Sequence, residues 1–372
     1  MSHPRVVQVL YSGLGGHFAV AMPLIEGGGS DDPWEHHLIF YGIEPVAPGY
    51  VEVCNRLGIA YSHVRAQPGR PWASWPALMR ALRKAKPDAV VLHSIKTVLP
   101  ARMATRGCPL IAVEHQPNAL KSRAEWGASI AAQYVSDHVV TLSQDYHTTL
   151  RRKLGLLFRP AHTAMVPTGI DTESAMAHPS ATRPDGPVRI GMAARFSPTK
   201  AQDVLVAALA HLSARDPDRH WQLSLAGDGT CLAAVEDAVR TANLQDKVEF
   251  LGYVPPDQLM TWFHTLDVYA HASDGETLST SLLQVMAAGV PIVASDVGGI
   301  SDLLGAQTPD EEPLGRLVSA RDPDAFAQAI LEDVNNAGEA QARAARAREH
   351  VERKHSLASM RAGYARLLGD LG

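Results

Sequence analysis

Short apolar runs alternate with amphipathic helix patterns along this chain, and the whole series occurs twice. Runs without polar interruption, separated by helices, are typical of a parallel sheet with helices on both faces. The first series predicts strands at 6–10, 37–41, 87–93, 110–115 and 139–143. The second predicts strands at 188–193, 222–226, 248–251, 268–271 and 292–294. Since 372 residues also exceed one ordinary core, we predict two doubly wound α/β domains.

The segment between the two series separates the domains. It is rich in Pro, Ser, Thr and Asp and has no hydrophobic periodicity, which is typical of a linker. We place the first domain at residues 1–172, the linker at 173–187 and the second domain at 188–355.

Cysteine usage and the absence of membrane patterns bear on the compartment. The three cysteines are far apart, with no CxxC and no His/Cys cluster, so we expect reduced thiols and no structural zinc site. We find no signal peptide and no apolar run near the roughly 18 residues that span a bilayer. A cytoplasmic protein is therefore expected.

Charge is unevenly distributed along the sequence. The net charge is −5, yet residues 50–160 contain 16 Lys and Arg against 6 Asp and Glu. This excess suits either an anionic acceptor or peripheral contact with the anionic inner face of a membrane. Nucleic acid is not expected as a partner. A solvated basic surface explains the same pattern.

A glycine-rich turn follows the first strand. The sequence Tyr11-Ser-Gly-Leu-Gly-Gly-His17 lets the backbone approach a ligand at Gly15 and Gly16. The dinucleotide fingerprint GxGxxG fails, because Phe18 stands where the third glycine belongs. The turn is compatible with a phosphate or a sugar.

The stretch 273–289 and the strand after it form the most informative part of the second domain. Ser279 and Thr280 are predicted to cap a helix with an apolar face. Such a helix start attracts anions at the strand ends of an open sheet. Glu276 stands just before the helix, and Gln284 follows eight residues later. A capped core helix with a surface glutamate is the structural alternative.

Two cations follow the first strand of the second domain. Arg195 and Lys200 lie at the predicted carboxyl edge of the sheet and could neutralise a diphosphate. A solvated loop would contain the same residues. The turn 226–229 and the segment 251–254 also end strands, and the backbone of the latter could frame a flat base.

Taken in order, these motifs resemble the retaining glycosyltransferases of family 4, which have the GT-B fold of two Rossmann-like domains facing a central cleft. The matching segments are 166–171, 195–200, 226–230, 250–254, 267–268, 276–291, 297–302 and 315–318 in the second half, with Gly15-Gly16, His115 and 136–143 in the first. The resemblance covers nearly the whole chain and is strongest in residues 166–322. It implies that the C-terminal helix, about 356–372, packs back on the first domain.

The resemblance also implies residue roles. Arg195 and Lys200 would neutralise the donor diphosphate in place of a metal, Glu276 would contact hydroxyls of the donor sugar, and His115 would contact the transferred sugar, with Glu114 as the alternative. The family's second glutamate, which holds the ribose, is replaced here by Gln284, which keeps an acceptor oxygen without the charge. The remaining implied donor-binding residues are Gly15, Gly16, Gly227, Tyr253, Val254, Thr277, Leu278, Ser279 and Thr280.

The expected function is retaining, metal-independent and cofactor-free transfer of a sugar from a nucleotide-diphosphate sugar, UDP-linked by expectation, to a hydroxyl acceptor. Surface polysaccharide or glycolipid assembly is the first expectation for the acceptor, and a small-molecule or antibiotic acceptor is the second. Two rivals remain. One is another GT-B enzyme such as an epimerase or phosphorylase. The other is a non-catalytic nucleotide-sugar-binding protein, which the substitution at Gln284 raises.

Overall fold

A computed structural model of the chain describes residues 3–13, 16–28, 32–116, 118, 121–172, 186–276, 278–306 and 311–369. The chain forms two compact units. Unit 1 is Met1–Gly169 with Ser356–Gly372, and unit 2 is Ile170–His355. Within those ranges, none of the helices is both long and apolar enough to cross a membrane.

Unit 1 is built on a parallel sheet with the order β3-β2-β1-β4-β5-β6-β7 among the residues described. Its strands are β1 (Arg5–Tyr11), β2 (Glu35–Gly42), β3 (Ala60–Arg65), β4 (Ala89–Leu92), β5 (Leu110–Val113), β6 (His138–Thr141) and β7 (Thr163–Met165). Its helices are α1 (Gly16–Glu26), α2 (Pro48–Leu57), α3 (Trp75–Ala85), α4 (Val98–Ala104), α5 (Arg123–Val135) and α6 (Gln144–Leu154). The order reverses between β1 and β4, and ligands of open α/β sheets bind at such a reversal.

Unit 1 contains elements that the sequence did not predict, and one of them is strand β7. Helix α2 was not predicted. Strand β3 was not predicted either, because its residues are mostly exposed and give no apolar run. The sequence pattern of residues 72–84 predicts one continuous helix, which the structure divides. A 3-10 turn at Pro71–Ser74 precedes α3, which has Pro76 in its first turn. Proline lacks a backbone N–H and is tolerated there but not in a helix interior.

Unit 2 repeats the plan, with the strand order β10-β9-β8-β11-β12-β13 over the described part of the chain. The strands are β8 (Val188–Ala193), β9 (Trp221–Ala226), β10 (Val248–Gly252), β11 (Val268–His271), β12 (Ile292–Ser295) and β13 (Arg316–Val318). The helices are α7 (Gln202–Arg215), α8 (Leu232–Thr241), α9 (Pro256–Phe263), α10 (Thr280–Ala288), α11 (Gly298–Leu304), α12 (Pro323–Asn335) and α13 (Ala337–Lys354). The predicted doubly wound α/β class is confirmed.

Each face of the unit 2 sheet supports a separate core. One core includes Leu205 and Leu209 of α7 and Phe326 of α12. The other includes Leu282 and Met286 of α10 and is closed by Val351 of α13. Because α10 is buried against the sheet, its N-terminus is held at the carboxyl edge of the strands, where the candidate site lies.

The last helix, α14 (Leu357–Leu368), belongs to unit 1. Ser356 caps it by accepting a hydrogen bond from the Ser359 N–H, and the Gly169 N–H contacts the Met360 sulfur at 3.2 Å. The predicted linker lies almost entirely outside the described residues. The observed division falls between Gly169 and Ile170, three residues earlier than predicted, because the Ile170 N–H donates to the His355 carbonyl within unit 2.

Candidate functional site

A charged cluster lies at the carboxyl edge of the unit 2 sheet. The Lys200 ammonium pairs with the Glu276 carboxylate, and the two side chains are 16% and 15% exposed. The buried ring of His271 lies against both, with Nε2 3.3 Å from Lys200 Nζ and 3.3 Å from Glu276 Oε1. The cluster therefore combines a carboxylate, an ammonium and an imidazole with limited access to water.

Backbone contacts between two loops bring Lys200 to Glu276. Lys200 forms an isolated antiparallel bridge with Ser273. The Asp274 N–H donates to the Thr199 carbonyl, and the Ala201 N–H donates to the Ala272 carbonyl. These bonds join the loop after β8 to the loop after β11. The position of Lys200 is therefore set by the main chain and does not depend on a flexible side chain alone.

Arg321 connects the loop after β11 to the first turn of α7. Its guanidinium donates to both oxygens of Asp274, at 2.8 and 2.6 Å, and also to Asp203, at 3.1 and 3.2 Å. Bidentate pairing to a carboxylate fixes orientation as well as distance. The loop after β11 is thus held by Arg321 as well as by its backbone bonds to the loop after β8.

His271 is a site residue that the sequence analysis missed. It is the last residue of β11, where it reads as part of a buried strand. Its Nδ1 lies 3.3 Å from the Tyr269 hydroxyl, which also contacts Ser281 Oγ at 3.1 Å in α10. The sequence feature that could have identified His271 is a histidine at the end of an apolar strand, at the carboxyl edge of the sheet.

Burial controls the electrostatics of the cluster. Loss of water lowers the pKa of the Lys200 ammonium to about 7. The carboxylate of Glu276 acts in the opposite sense, since an adjacent anion favours the charged form. Burial, followed by repulsion from Lys200, also holds the pKa of His271 well below its usual range, so this ring is neutral.

Arg195 lies in the same loop as Lys200 but is exposed. The turn after β9 holds this loop. Gly227 has φ of +134°, and a Cβ there would come within 2.1 Å of the Ala194 carbonyl. The Gln202 side-chain amide donates to the Arg195 carbonyl at 3.3 Å. The structure thus places Gly227 against the backbone that carries Arg195, where only glycine fits.

Helix α10 begins at Thr280, but its start differs from the prediction. Ser279 is buried at the N-cap position, yet its hydroxyl contacts Ser281 Oγ at 3.1 Å and caps no backbone N–H. The predicted side-chain cap is therefore wrong, and the first amides of α10 receive no bond from Ser279. Anions are favoured at such a helix start.

Helix α10 starts at Thr280, so Gln284 is about one turn into it and is partly exposed. Glu276 belongs to the preceding loop. Thr277 lies outside the described residues, and Leu278 packs partly buried against the core beneath α10.

A cavity of about 590 Å³ opens beside the end of β10. Tyr253, which is 63% exposed, and Val254 lie on one side of it. Gln258, Thr261, Trp262 and Thr265 also line it. Gly252, next to Tyr253, accepts a hydrogen bond from the Gly227 N–H at 2.7 Å, which links this cavity to the Arg195 loop.

In unit 1, the predicted residues lie after β1 and β5. Gly16 begins α1 directly after the glycine-rich turn, whereas Gly15 lies outside the described residues. His115 follows β5, with its ring 4.4 Å from that of His17, centroid to centroid. Burial, followed by repulsion from His17 and His93, holds the pKa of His115 well below its usual range.

Glu114 does not suit the alternative role given to it. It is 1% exposed, its carboxylate accepts from Lys121 at 3.0 Å, and the Tyr146 hydroxyl donates to it at 2.9 Å. The Lys121 side chain is fully buried and lies 4.7 Å from the Trp126 ring centre. Breaking such a buried pair is costly, so Glu114 is a structural group.

Two family models match the chain, one to each half. The first is described as Glycosyltransferase Family 4 and matches residues 30–174. The second is described as Glycosyl transferases group 1 and matches residues 187–336. The second match includes Arg195, Lys200, Glu276 and Gln284.

Among similar proteins, a 2-deoxystreptamine glucosyltransferase from Streptomyces kanamyceticus is 29% identical over 252 residues, which are 65% of this chain and 61% of that protein. A D-inositol 3-phosphate glycosyltransferase from Rhodococcus jostii is 32% identical over 163 residues, which are 42% of this chain and 35% of that protein. The chain thus spans less than two thirds of the length of these relatives.

Solved structures resemble the whole chain. HepE from Anabaena, in complex with UDP and glucose, has a TM-score of 0.80 at 18% identity, and the match covers 99% of this chain and 100% of that one. Sucrose-phosphate synthase from Thermosynechococcus elongatus has a TM-score of 0.77 at 18% identity, with 98% of each chain covered. This likeness establishes the fold.

Proposed function

The chain belongs to the family 4-like glycosyltransferases with the GT-B fold, and from that premise we propose that it transfers a sugar from a nucleotide-diphosphate sugar to a hydroxyl acceptor with retention of configuration. The observation that carries the proposal is the Lys200–Glu276 pair beside the start of α10. It combines a group that neutralises phosphate with a group that accepts hydrogen bonds from sugar hydroxyls.

In the proposed complex, Lys200 and Arg195 hold the diphosphate, and the backbone amides at the start of α10 hold its distal phosphate. Glu276 accepts from donor-sugar hydroxyls, Gln284 from the ribose, and the cavity beside Tyr253 and Val254 receives the base. Lys200 must then exchange Glu276 for the diphosphate, at least in part. A nucleotide sugar carries the anionic charge that makes this exchange favourable. UDP is the favoured nucleotide, since HepE binds UDP.

The proposed chemistry depends on the leaving group. As the bond from C1 to the diphosphate oxygen lengthens, negative charge grows on that oxygen and the two cations stabilise it without a metal ion. The acceptor hydroxyl attacks C1 from the face that the diphosphate leaves, and its proton passes to the departing phosphate oxygen. In unit 1, His115 contacts the transferred sugar. Catalysis then consists mainly of positioning and electrostatic stabilisation.

Two acceptor classes follow from different observations. A small hydroxylated acceptor is favoured by the names of the relatives, which include 2-deoxystreptamine and D-inositol 3-phosphate. A lipid-linked acceptor is favoured by exposed Leu156 and Leu157, which are separated by two residues from the basic run Arg151-Arg152-Lys153 on the surface of unit 1. The first class is our proposal, and the second is the alternative.

The proposed function predicts donor binding and transfer that survive chelation. A thermal-shift screen of nucleotide sugars should give one hit, because a ligand at a hundred times its Kd stabilises the folded state by about 2.7 kcal/mol. With that donor, transfer to cyclitols or to lipid-linked sugars in excess EDTA should yield a product of retained configuration by NMR. Stabilisation by no nucleotide sugar contradicts the function. Loss of transfer in EDTA, restored by Mn²⁺, contradicts metal independence alone.

A pH dependence of donor binding follows from the buried ammonium. Burial lowers the pKa of Lys200 to about 7 in the free protein, whereas a bound diphosphate would raise it by favouring the charged form. Binding therefore takes up a proton at high pH, and affinity should fall above about pH 7 by at most tenfold per pH unit. Glu276 opposes the effect of burial and moves the onset upward.

Calorimetric titration of the intact nucleotide sugar, whose phosphates stay ionised throughout, measures this slope between about pH 6 and about pH 9. Lys200→Arg is the control, because a guanidinium remains charged in this range. Its affinity should be flat with pH. Equal slopes for both proteins would show that another group takes up the proton.

A further inference from the structure

A buried row of polar side chains crosses unit 1 behind His115. His93 directly follows β4, and its Nδ1 lies 3.0 Å from His115 Nε2. The other nitrogen of His93, Nε2, lies 3.0 Å from Gln8 Oε1 in β1. His93 and Gln8 are 1% and 0% exposed. The row thus links the end of β5 to the interior of the sheet, where water does not compete for these bonds.

The direction of each hydrogen bond in the row follows from the atoms that meet. Gln8 Oε1 can only accept, so the proton lies on Nε2 of His93. A neutral imidazole has one N–H, and Nδ1 of His93 is therefore an acceptor. Its partner, Nε2 of His115, must donate. His115 is then the Nε2–H tautomer, with the lone pair on Nδ1.

The contacts of the Gln8 side-chain nitrogen support the same hydrogen-bond direction. Its amide Nε2 approaches His36 Nδ1 at 3.5 Å, and His36 Nε2 lies 3.1 Å from the carboxylate of Asp32. When His36 is neutral and donates to Asp32, its Nδ1 accepts from the Gln8 amide, which then presents its oxygen to His93. All the bonds from His115 to Asp32 then run in one direction.

Neutral rings are the condition for this arrangement, and the surroundings provide it. Burial, followed by repulsion from His17, holds the pKa of His93 well below its usual range. Burial likewise lowers the pKa of His17 to about 4. A second proton on His93 would turn its acceptor nitrogen into a donor facing another donor. Among the residues described, no three or more His, Cys, Asp or Glu side chains are arranged to hold a metal ion.

We propose that His93, anchored by Gln8, is a positioning residue that holds His115 in the Nε2–H tautomer, so that Nδ1 of His115 accepts a hydrogen bond from a hydroxyl of the donor sugar. The part that concerns the sugar rests on the proposed function. The tautomer itself follows from the contacts within unit 1. In this tautomer the sugar hydroxyl donates to Nδ1, whereas in the opposite tautomer Nδ1–H would donate to the hydroxyl oxygen.

The first test determines the tautomer of His115 directly. In the full chain labelled with ¹⁵N-histidine, two-bond ¹⁵N–¹H spectra distinguish protonated from unprotonated ring nitrogens, and His115→Asn assigns the signals. We expect an unprotonated Nδ1 and a protonated Nε2 for His115 in the wild-type protein. Gln8→Leu should shift His115 towards a mixture of tautomers. A wild-type His115 that is protonated on Nδ1 overturns the proposal.

Gln133→Leu is the matched control for Gln8→Leu. Gln133 is also 0% exposed in unit 1, and its side-chain oxygen accepts from the Arg159 N–H at 2.9 Å, outside the row. Both changes remove a buried glutamine, so both lower thermal stability. Only the Gln8 change should alter the His115 signals. Equal alteration by the two variants would mean that general loosening of the core, and not the row, is responsible.

The second test measures the effect of His93 on the rate of sugar transfer. His93→Leu removes the acceptor and should lower kcat about tenfold, as expected for one buried hydrogen bond, with a change of less than about twofold in UDP affinity. His93→Asn places an amide oxygen near the Nδ1 position and should recover part of kcat. Wild-type kcat in His93→Leu, or equal losses in both variants, overturns the positioning role. If the wild-type protein transfers no sugar, the proposed function fails, while the spectra still decide the tautomer.

Discussion

Replacing Glu276 by alanine is expected to lower kcat about a hundredfold, because a charge-assisted hydrogen bond to the transferring sugar is lost in a site with little water. Nucleotide affinity should stay within about threefold, since the change also releases Lys200 from its partner and leaves it for the diphosphate. The kcat of Glu276→Gln should lie between those of the wild type and Glu276→Ala, because a neutral acceptor forms roughly half as strong a hydrogen bond. Steady-state kinetics and UDP calorimetry measure the two effects separately.

Glu249→Gln is a suitable control for the loss of a carboxylate from unit 2, because Glu249 is exposed on β10. Its kinetics should match the wild type. If Glu276→Ala weakens UDP binding as much as it lowers kcat, Glu276 belongs to the nucleotide pocket and not to the sugar contact.

Removal of the buried ammonium should have the largest effect on donor affinity. Lys200→Ala is expected to weaken UDP binding by about 30- to 100-fold, because a charge-assisted bond is lost and the carboxylate of Glu276 is left near the diphosphate without its partner. Arg195→Ala should weaken UDP binding by only about fivefold, since exposed charges are screened by water and salt. Calorimetry with UDP gives both values.

A double variant separates the two causes within the Lys200 effect. In Lys200→Ala with Glu276→Ala, repulsion between the carboxylate and the diphosphate is absent, so affinity should recover several-fold over Lys200→Ala alone. Lys247→Ala is the control, since Lys247 is a half-buried lysine of unit 2 that donates to Ser213 Oγ at 2.9 Å. An unchanged affinity in Lys200→Ala would remove this residue from the donor site.

Several parts of the fold could be predicted because they depend on local patterns. The strands Val188–Ala193 and Val268–His271 have the predicted bounds, since each is a short apolar run bounded by polar residues. Strand β3 was missed, because its side chains show little alternation between apolar and polar and are mostly exposed at the edge of the sheet. Edge strands have one unpaired side and a weak hydrophobic signal.

The site was predicted in part for the same reason. Arg195, Lys200 and Glu276 follow predicted strands, and parallel strands bring their carboxyl ends to one edge, so the sequence placed these residues together. It did not show that Lys200 pairs with Glu276, 76 residues away. It also assigned Ser279 a cap that the Ser281 contact replaces.

By itself, the sequence determined the alternation of strands and helices, the two doubly wound units and the loops that contain the candidate site residues. These features follow from hydrophobic period and turn residues, which act over a few positions. Only the tertiary structure decided which charges meet and which lose their water. The lowered pKa of Lys200, the neutral His271, the enclosed Glu114 and the row from His115 to Gln8 all depend on burial. Burial is set by packing between residues distant in the chain, because desolvation and Coulomb energy depend on three-dimensional distance and not on sequence separation.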